Sequence, residues 1–572
     1  MTEVLRLGIL AHLGDESAEL FVADTRHLSR WALTVDGVGL TRLGSSAVFT
    51  PSLRRGVDPP YTVSRTQTVT GTGLTERLIV RSHSDRPVCV AVEYAVAADF
   101  ADQFEVRSGR VPVERPVAAK VAPGVLLLRY TRKDFQRETT VRTPPEAEIE
   151  PDRIRLVLPV APHGTASADF EVVVRDPVPD PPRIGIADLD ALLLPMPEGY
   201  VVAAGSPWFL TLFGRDSLLT ALFLTASGRP DHRWLAATTL RVLAARQGRV
   251  VDPARLEEPG KILHEVRAGE LSHFGDVPFG RYYGSVDATP LFLVLLAQLG
   301  DDDLARELEP AARAAVDWMF AFGGLDRTGY LVYRTDGPGL VHQCWKDSAR
   351  GICFRSGEAA TGELAVCEVQ GYAWAALRGT AELAERVWAD AGLADRLRTA
   401  ADALGARFLR DFWLPDEEFV ALARTTDGRV VDALSSNPGH LLWIGLLSGE
   451  RARRVGQRLA GPEFFTGWGI RTLAAGQPAY HPVSYHNGSV WPHDTAIAVA
   501  GLARIGLAEE ARRVADGLRE VARYTAGRLP EVLTGFSRAE EPEPVPYPHS
   551  CSPQAWAAAA PLLIAAALES GT

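Results

Sequence analysis

The sequence has few lysines and few cysteines for its 572 residues. Of its 60 basic residues 56 are arginine, and the four lysines are Lys120, Lys133, Lys261 and Lys346. The five cysteines form no CxxC pair, which argues against a disulfide framework or a zinc site and favours reduced thiols in a cytoplasm. The net charge of −11 argues against a nucleic-acid or anionic-membrane partner, because either would need a basic face.

Long apolar runs are also missing. No stretch approaches the roughly 20 residues of a membrane span. The first residues, MTEVLRLGILAHLG, have neither a basic start nor a sustained apolar stretch nor a small-residue cleavage site, so we expect no signal peptide. We therefore expect a cytoplasmic protein, and the sequence does not indicate its oligomeric state.

The motifs of several common enzyme classes are absent. There is no GxGxxG after a strand, no phosphate-binding P-loop and no GxSxG nucleophile elbow. His486 and His493 lie seven residues apart, across Gly488 and Pro492, without the HExxH spacing of a zinc helix. We therefore expect no metal and no organic cofactor.

The chain is too long for one hydrophobic core and changes character near residue 180. Before that point, short alternating or β-branched runs are separated by Gly, Pro, Asp and Ser, which predicts an antiparallel β-sandwich. The predicted strands are Glu19–Val22, Ala32–Val35, Tyr61–Val69, Leu74–Arg81, Val88–Tyr94, Val125–Tyr130, Arg153–Val160 and Ala168–Val174.

After the proline-rich segment RDPVPDPPRIGI, about eleven or twelve runs show helical periodicity. The clearest runs are His232–Gln247, Asp302–Phe322, Glu368–Ala391, Ala394–Leu409, Asp494–Ile505, Ala508–Tyr524 and Ser552–Leu568. This number of helices suits a closed double ring. We predict a multidomain α and β protein, with a β-sandwich over residues 1–180, a linker over 181–194 and an (α/α)6 barrel over 195–572.

Polar loops between these helices supply the candidate functional residues, because loops on a rigid scaffold often carry binding sites. The first loop holds Trp208, Arg215 and Asp216, an aromatic ring beside an Arg-Asp pair that could bind sugar hydroxyls. An equally simple interpretation is a helix N-cap with a local ion pair.

The second loop, Glu257–Pro290, is long, polar and weakly helical, which in a compact domain usually indicates function rather than a surface excursion. Its candidate binding residues are Lys261, His264, Glu265, Tyr282, Tyr283 and Asp287.

Three later loops complete the set. The segment HQCWKDSARGI places Asp347 after Trp345 and Lys346, where a desolvated carboxyl could stay protonated as a general acid or could be a helix N-cap. The segment YHNGSVWPHDTAIA offers polar groups and a stacking ring in Tyr485, His486, Asn487 and Trp491. The last loop brings Glu531 and Gln554, and its glutamate could be a base or a solvated loop residue.

Carboxylates and aromatic rings without phosphate cradles suit a neutral carbohydrate, which offers hydroxyl groups and apolar C–H faces. Glycoside hydrolysis needs two carboxyl groups that flank the scissile bond. The loops supply several such groups.

Six ordered motifs carry a family resemblance. They are PWFLTLFGRDSLLTAL, EEPGKILHEVRAGEL with FGRYYGSVDATPLFL, CWKDS, EVQGYAWAAL, YHNGSVWPHDTAIA, and LPEVLTGF with PYPHSCSPQAW. From about Gly205 to the C-terminus the chain resembles the bacterial amylo-α-1,6-glucosidase group, relatives of the glucosidase half of glycogen debranching enzyme in the six-hairpin glycosidase superfamily. The stretch LFVADTRHLSRWALTVDG resembles the β-domain that precedes the barrel in that group.

The resemblance implies an inverting, exo-acting α-glucosidase that acts on α-glucans or small α-glucosides. It implies Asp347 as general acid, Glu531 as the base that activates water, and Arg215 with Asp216 as ligands of the terminal glucose. Asp216 is the rival for the general acid. A glycoside phosphorylase of similar architecture and a catalytically silent carbohydrate-binding protein are the alternatives, and the sequence gives neither the sugar nor the linkage.

Overall fold

The computed structural model describes residues 2–51, 58–109 and 111–570 and divides the chain into two compact units. The first unit comprises Met1–Pro182 and Arg267–Asp276, and the second comprises Arg183–Val266 and Val277–Thr572. The segment expected to be a linker, 181–194, contains the helix Ala187–Ala191 and the start of the strand Leu193–Met196.

The first unit is built from antiparallel β-sheets. One sheet contains, in spatial order, Thr2–Arg6, Ile9–Leu13, Ala18–Val22 and Thr25–Leu28. A second contains Glu148–Glu150, Arg153–Val160, Val88–Ala97 and Arg30–Val35. The third contains Ala118–Ala122, Val125–Arg132, Phe135–Arg142, Thr165–Val173, Gly73–Ser82, Tyr61–Val69, Val48–Pro51 and Leu40–Arg42. One short helix, Gln103–Arg107, lies among them in sequence.

Side chains from these sheets share one hydrophobic core. Trp31 stacks on its sheet neighbour Tyr94 with ring centroids 4.2 Å apart, and Phe170 of the largest sheet lies 4.7 Å from Tyr94. Alternation of buried and exposed residues along Arg153–Val160 is regular, as expected for a strand with one face on a core. The predicted antiparallel β-domain is therefore confirmed.

Ten residues that the sequence assigned to the barrel, Arg267–Asp276, fall in the first unit. Polar contacts explain this difference. Glu270 accepts hydrogen bonds from Arg115 at 2.7 Å and Tyr130 at 2.6 Å, and Arg267 donates to Asp24 at 2.9 Å. Buried carboxylates need such partners, and these partners lie far away in the sequence.

The second unit is mainly helical. Its helices are Ala187–Ala191, Gly214–Ala226, Arg233–Ala245, Ala288–Leu299, Asp302–Glu307, Glu309–Ala321, Leu325–Thr328, Cys367–Arg386, Ala391–Asp411, Pro438–Ile444, Gly449–Leu459, Pro492–Arg504, Ala508–Tyr524 and Ala555–Ser570. Its short strands are Leu193–Met196, Gly199–Val202, Tyr333–Arg334, Glu363–Val366, Trp413–Leu414, Phe419–Val420, Ala423–Thr425 and Val430–Val431.

Six of these helices close an inner ring, because each contacts the next and the last contacts the first. In ring order they are Gly214–Ala226, Ala288–Leu299, Cys367–Arg386, Pro438–Ile444, Pro492–Arg504 and Ala555–Ser570. After each of the first five, a later helix packs outside as its hairpin partner. These partners are Arg233–Ala245, Glu309–Ala321, Ala391–Asp411, Gly449–Leu459 and Ala508–Tyr524. The predicted (α/α)6 architecture is confirmed.

One detail differs from the sequence-based expectation. The run predicted as one helix over Asp302–Phe322 is two helices, Asp302–Glu307 and Glu309–Ala321, because Pro310 lacks the N–H that would continue the first helix. All five cysteines are free thiols. No helix in the described ranges is both long enough and apolar enough to cross a membrane.

Candidate active site

The first five inner helices run in the same direction around the ring, since each is followed by a returning outer helix. The sixth begins beside the fifth, because Trp556 stacks on His493. Their N-terminal ends therefore meet at one end of the barrel. Arg215 and Asp216 lie in the first turn of Gly214–Ala226, and Asp287 directly precedes Ala288–Leu299. Trp491 and Gln554 directly precede two further inner helices. The loops that carry Asp347 and Glu531 contact this same end.

Arg215 is the centre of the polar cluster. Its guanidinium donates two hydrogen bonds to Asp287, at 2.9 and 2.7 Å, and one to Asp347 Oδ2 at 3.2 Å. His264 Nε2 lies 3.3 Å from the same guanidinium and 3.8 Å from Asp347 Oδ2. Ser285 Oγ donates to Asp287 at 2.6 Å. Because Arg215 is 3% exposed, these charges interact strongly.

The surroundings of Asp347 favour its ionised form. Burial would raise the pKa of this carboxyl, but the contact with His264 and the charge of Arg215 outweigh burial and lower the pKa. For His264, burial lowers the pKa, but Asp347 and Glu265 raise it to about 9, so the imidazole is a cation at neutral pH. No donor contacts Asp347 Oδ1 in the described part of the chain, and the side chain is 26% exposed.

Asp216 has the opposite electrostatics although it follows Arg215 directly. Burial raises its pKa from an ordinary 3.8 to about 6, and the nearby Asp347 adds to this increase, while Arg215 and His264 oppose it. The pKa values of the two carboxyl groups are therefore shifted in opposite directions, and a proton binds more readily to Asp216 than to Asp347.

This asymmetry gives a stability prediction for Asp216→Asn. The folded protein binds the Asp216 proton more tightly than the unfolded chain does. The stability from this residue is therefore present below pH 3.8 and is lost as the pH rises through about 6. Relative to wild type, the variant should gain about 2 kcal/mol in unfolding free energy between pH 4.5 and 7.5. Urea unfolding at both pH values measures this gain.

The matched control is Asp303→Asn, which changes a first-turn aspartate whose side chain is 98% exposed. In this control, the change in unfolding free energy between pH 4.5 and 7.5 should differ from that of wild type by less than about 0.5 kcal/mol. If Asp216→Asn gained nothing over wild type on going to pH 7.5, the raised pKa of Asp216 would be wrong.

Glu531 is held from two sides. Tyr485 donates its hydroxyl to Oε1 at 2.6 Å, and the backbone N–H of Cys551 donates to Oε2 at 2.8 Å. Both bonds stabilise the carboxylate form. The pKa of the Tyr485 hydroxyl is raised well above its usual value by burial and by the charges of Glu531 and Asp347.

Aromatic rings form a wall beside these groups. The rings of His486 and Trp491 stack with centroids 5.2 Å apart, and Tyr485 lies edge-on to Trp491 at 4.8 Å. Trp345 packs edge-on against Trp491 at 5.8 Å. Trp208 is partly exposed ahead of the first inner helix, and its predicted stacking on a sugar stays a prediction.

Several side chains that were predicted to bind the substrate form hydrogen bonds or ion pairs within the protein instead. The Lys261 ammonium contacts Leu256 O at 3.2 Å and Glu258 at 3.3 Å, and the Tyr283 hydroxyl donates to Arg246 O. The Tyr282 hydroxyl bridges Pro338 O and Leu340 N, at 2.8 and 3.0 Å. All three side chains are buried, so we no longer assign them to the substrate.

The same correction applies to three residues nearer the carboxylates. The Lys346 side chain is completely buried, and its ammonium donates to Thr472 O at 2.5 Å. The Asn487 amide donates to Arg350 O at 2.6 Å. The Gln554 amide, oriented to satisfy its neighbours, donates to Ala204 O and accepts from Trp556 Nε1. These side chains connect loops.

A second polar layer, which we did not predict from the sequence, lies at the starts of three inner helices. Asn437 donates to Glu368 at 2.8 Å, and His440 Nε2 lies 2.9 Å from Asp494 Oδ1. The Tyr372 hydroxyl contacts the other nitrogen of His440. The available signal was the presence of charged residues in otherwise apolar helix starts. Among the described residues, no group of three or more His, Cys, Asp or Glu side chains could hold a metal ion.

Two family models match the chain. Residues 7–171 match the N-terminal domain of some glycogen debranching enzymes. Residues 346–536, which contain both Asp347 and Glu531, match the mannosylglycerate hydrolase MGH1-like glycoside hydrolase domain. No curated protein matches the sequence.

A solved structure with the same architecture supports the fold. A bacterial glucoamylase complexed with acarbose covers 99% of this chain and 92% of its own, with 11% identity and a TM-score of 0.58. A mannosylglycerate hydrolase of family GH63 from Thermus thermophilus, in complex with Tris and D-glycerate, is also similar and covers 64% of this chain and 95% of its own. Its identity is 14% and its TM-score 0.47.

Proposed function

We propose that this chain, a glycoside hydrolase of the six-hairpin type, is an inverting, exo-acting α-glucosidase of the amylo-α-1,6-glucosidase type. Asp347 is the general acid and Glu531 the general base. The observation that carries this proposal is that neighbouring residues link the two carboxyl groups: Tyr485 donates to Glu531, and His486 contacts Ser348, which directly follows Asp347. The substrates are α-glucans or small α-glucosides.

The base role of Glu531 rests on its hydrogen bonds. Oε1 accepts from the Tyr485 hydroxyl and Oε2 from the Cys551 N–H, and such donors stabilise a carboxylate, which is the form that takes a proton from water. In the reaction a water transfers a proton to Glu531 as its oxygen bonds to the anomeric carbon. The bond to the leaving oxygen breaks at the same time, and that oxygen takes the proton of Asp347.

The acid role of Asp347 rests on its open oxygen. Arg215 holds Oδ2, whereas Oδ1 has no donor in the described chain and can face a glycosidic oxygen. The lowered pKa of Asp347 means that the free protein holds this carboxyl mainly in its ionised form. We propose that a bound substrate excludes water from Asp347 and so raises its pKa, and kcat/KM should fall as the pH rises because the acid must carry a proton.

Sugar binding is the second role of the same cluster. The Arg215 guanidinium donates to Asp287 and to Asp347, so it orients these carboxylates. No described side chain donates to the Asp216 carboxyl, which leaves its oxygens to sugar hydroxyls. Binding of the terminal sugar here would place its anomeric carbon towards Asp347.

A second substrate class is favoured by one comparison. The matched region, residues 346–536, belongs to a domain model named for mannosylglycerate hydrolase. A small α-mannoside or α-glucoside of glycerate is therefore a candidate beside glucans, and it would use the same two carboxyl groups.

The deciding experiment is a substrate panel with anomer detection. Wild type is incubated with nitrophenyl α-glucoside and α-mannoside, isomaltose, branched dextrin, glucosylglycerate and mannosylglycerate, with and without phosphate. Proton NMR reads the first product anomer before mutarotation. We expect β-sugar release that does not require phosphate, because water attacks from the face opposite the leaving group.

Each other outcome contradicts a defined part of the proposal. A first product in the α-form would exclude the inverting mechanism. Turnover that requires phosphate would identify a phosphorylase. Cleavage of the mannosides alone would replace the glucosidase assignment, and turnover of no substrate would remove it.

A further inference from the structure

Lys346 is unusual for this chain, which uses arginine at 56 of its 60 basic positions. Its side chain is wholly buried next to Asp347, and its ammonium lies 5.3 Å from the Trp345 ring. Burial lowers the pKa of the ammonium, while the charges of Asp494 and Glu368 oppose that decrease. An arginine would bring five N–H donors to a site with few acceptors.

The acceptor of Lys346 belongs to the segment that supports the proposed base. Thr472 O takes the ammonium at 2.5 Å, and Thr472 N donates to Ser489 O at 2.9 Å. The Thr472 hydroxyl accepts from Gly488 N at 2.9 Å. The Ser489 hydroxyl then donates to Tyr485 O at 2.6 Å. Tyr485 in turn holds Glu531.

The other side of Asp347 is tied to the same segment. His486 Nδ1 accepts from Ser348 N at 3.3 Å and lies 2.9 Å from Ser348 Oγ. Burial lowers the pKa of His486 to about 3, so its ring is neutral and can accept. The turn after Asp347 is compact, since a Cβ at Gly351 would lie 2.3 Å from Lys346 O.

We infer that Lys346 is a positioning residue that fixes Asp347 relative to Glu531. Its hydrogen bond joins the loop that carries Asp347 to the segment Thr472–Ser489. The inference rests on the proposed roles of the two carboxylates. Arg215 and His264 orient the Asp347 side chain, whereas Lys346 fixes the backbone from which it extends. Without this hydrogen bond, Asp347 would shift by a fraction of an ångström, while the contacts that hold the sugar and Glu531 would remain.

The test compares Lys346→Met with wild type on two substrates. One is an alkyl α-glycoside, whose leaving group needs a proton, and the other is the α-glycosyl fluoride of the same sugar, whose leaving group does not. We expect kcat on the alkyl glycoside to fall about 100-fold, with KM changed less than about threefold. On the fluoride the fall should be less than about tenfold.

The variant should fold, because Thr472 O keeps a hydrogen bond from Ser436 N at 3.2 Å. Thermal unfolding checks that Lys346→Met is folded. If it is unfolded, Lys346→Gln is tested on the same two substrates with the same expected result. The control is Lys120→Met, on an exposed strand of the first unit, which should leave both rates unchanged.

Equal losses on the two substrates, or no loss on either, would overturn the inference. Its failure is distinguishable from failure of the proposed function. If only the inference fails, wild type is an active inverting hydrolase and the variant lacks the substrate-dependent loss of kcat. If the proposed function fails, wild type itself does not hydrolyse the substrates of the panel.

Discussion

Glu531→Gln should lose hydrolysis by on the order of 10⁴-fold in kcat, on activated and unactivated substrates alike. Without the carboxylate no group takes the proton of the attacking water, and a better leaving group does not replace that step. The amide fits the site, because its oxygen can accept from Cys551 N while its nitrogen donates to the Tyr485 hydroxyl. The measurement is kcat on an alkyl glycoside and on a glycosyl fluoride.

A base variant of an inverting enzyme has a further signature. Glu531→Ala opens space for a small anion, and azide at molar concentration should restore turnover of the α-fluoride as β-glycosyl azide. The azide bonds to the anomeric carbon and fluoride leaves, so no proton transfer is needed. Formation of α-azide would show a retaining enzyme and would exclude Glu531 as the base.

The control for both variants is Glu543→Gln, which changes an exposed glutamate in the same stretch of chain. It should retain wild-type kcat. If Glu531→Gln also retained more than about a tenth of wild-type kcat on both substrates, Glu531 would have no base role.

Much of the fold could be predicted because local patterns and tertiary burial agree. The alternation along Arg153–Val160 and the helical period of Ala508–Tyr524 each reflect one apolar face on a core. Inner helices are harder to recognise. In Gly214–Ala226 the residues from Gly214 to Leu224 are all buried, so no face stands out and periodicity carries little signal.

The strand Phe135–Arg142 escaped prediction for a related reason. Its sequence, FQRETTVR, is mostly polar and buries Phe135, Thr139 and Val141 only because neighbouring strands cover them. Its partners lie at Val125–Arg132 and Thr165–Val173, so pairing rather than propensity places it in the sheet.

For the candidate site, residue type indicated loops that the structure brings together around Arg215, but it did not indicate the hydrogen-bond partner of each side chain. Arg215 meets Asp287 and Asp347, which lie 72 and 132 residues away, and no local pattern encodes those contacts. A buried lysine that reaches a carbonyl and one that reaches a sugar look the same in sequence. The distinction needs the hydrogen-bond partner, which is a tertiary property.

The electrostatics of the site separate its carboxylates by function. Glu531 receives neutral donors, Asp347 lies against two cationic neighbours, and burial raises the pKa of Asp216 to about 6. Asp216 therefore competes with Asp347 for the acid role, and stability data cannot decide between them. The dependence of kcat on the leaving group can decide between them, because only the general acid becomes dispensable when the leaving group needs no proton.

Asp347→Asn should therefore lose about 10³-fold in kcat on an alkyl α-glycoside but about tenfold or less on the α-glycosyl fluoride. The amide oxygen can keep the bond from Arg215, so the loop should retain its place. Asp216→Asn, in contrast, should raise KM and lower kcat similarly on both substrates, because it removes a sugar ligand. Asp416→Asn, an exposed aspartate, is the control that should match wild type. If the substrate-dependent loss belonged to Asp216→Asn and not to Asp347→Asn, the acid would be Asp216, and Asp347 would be left as the carboxylate that keeps His264 charged.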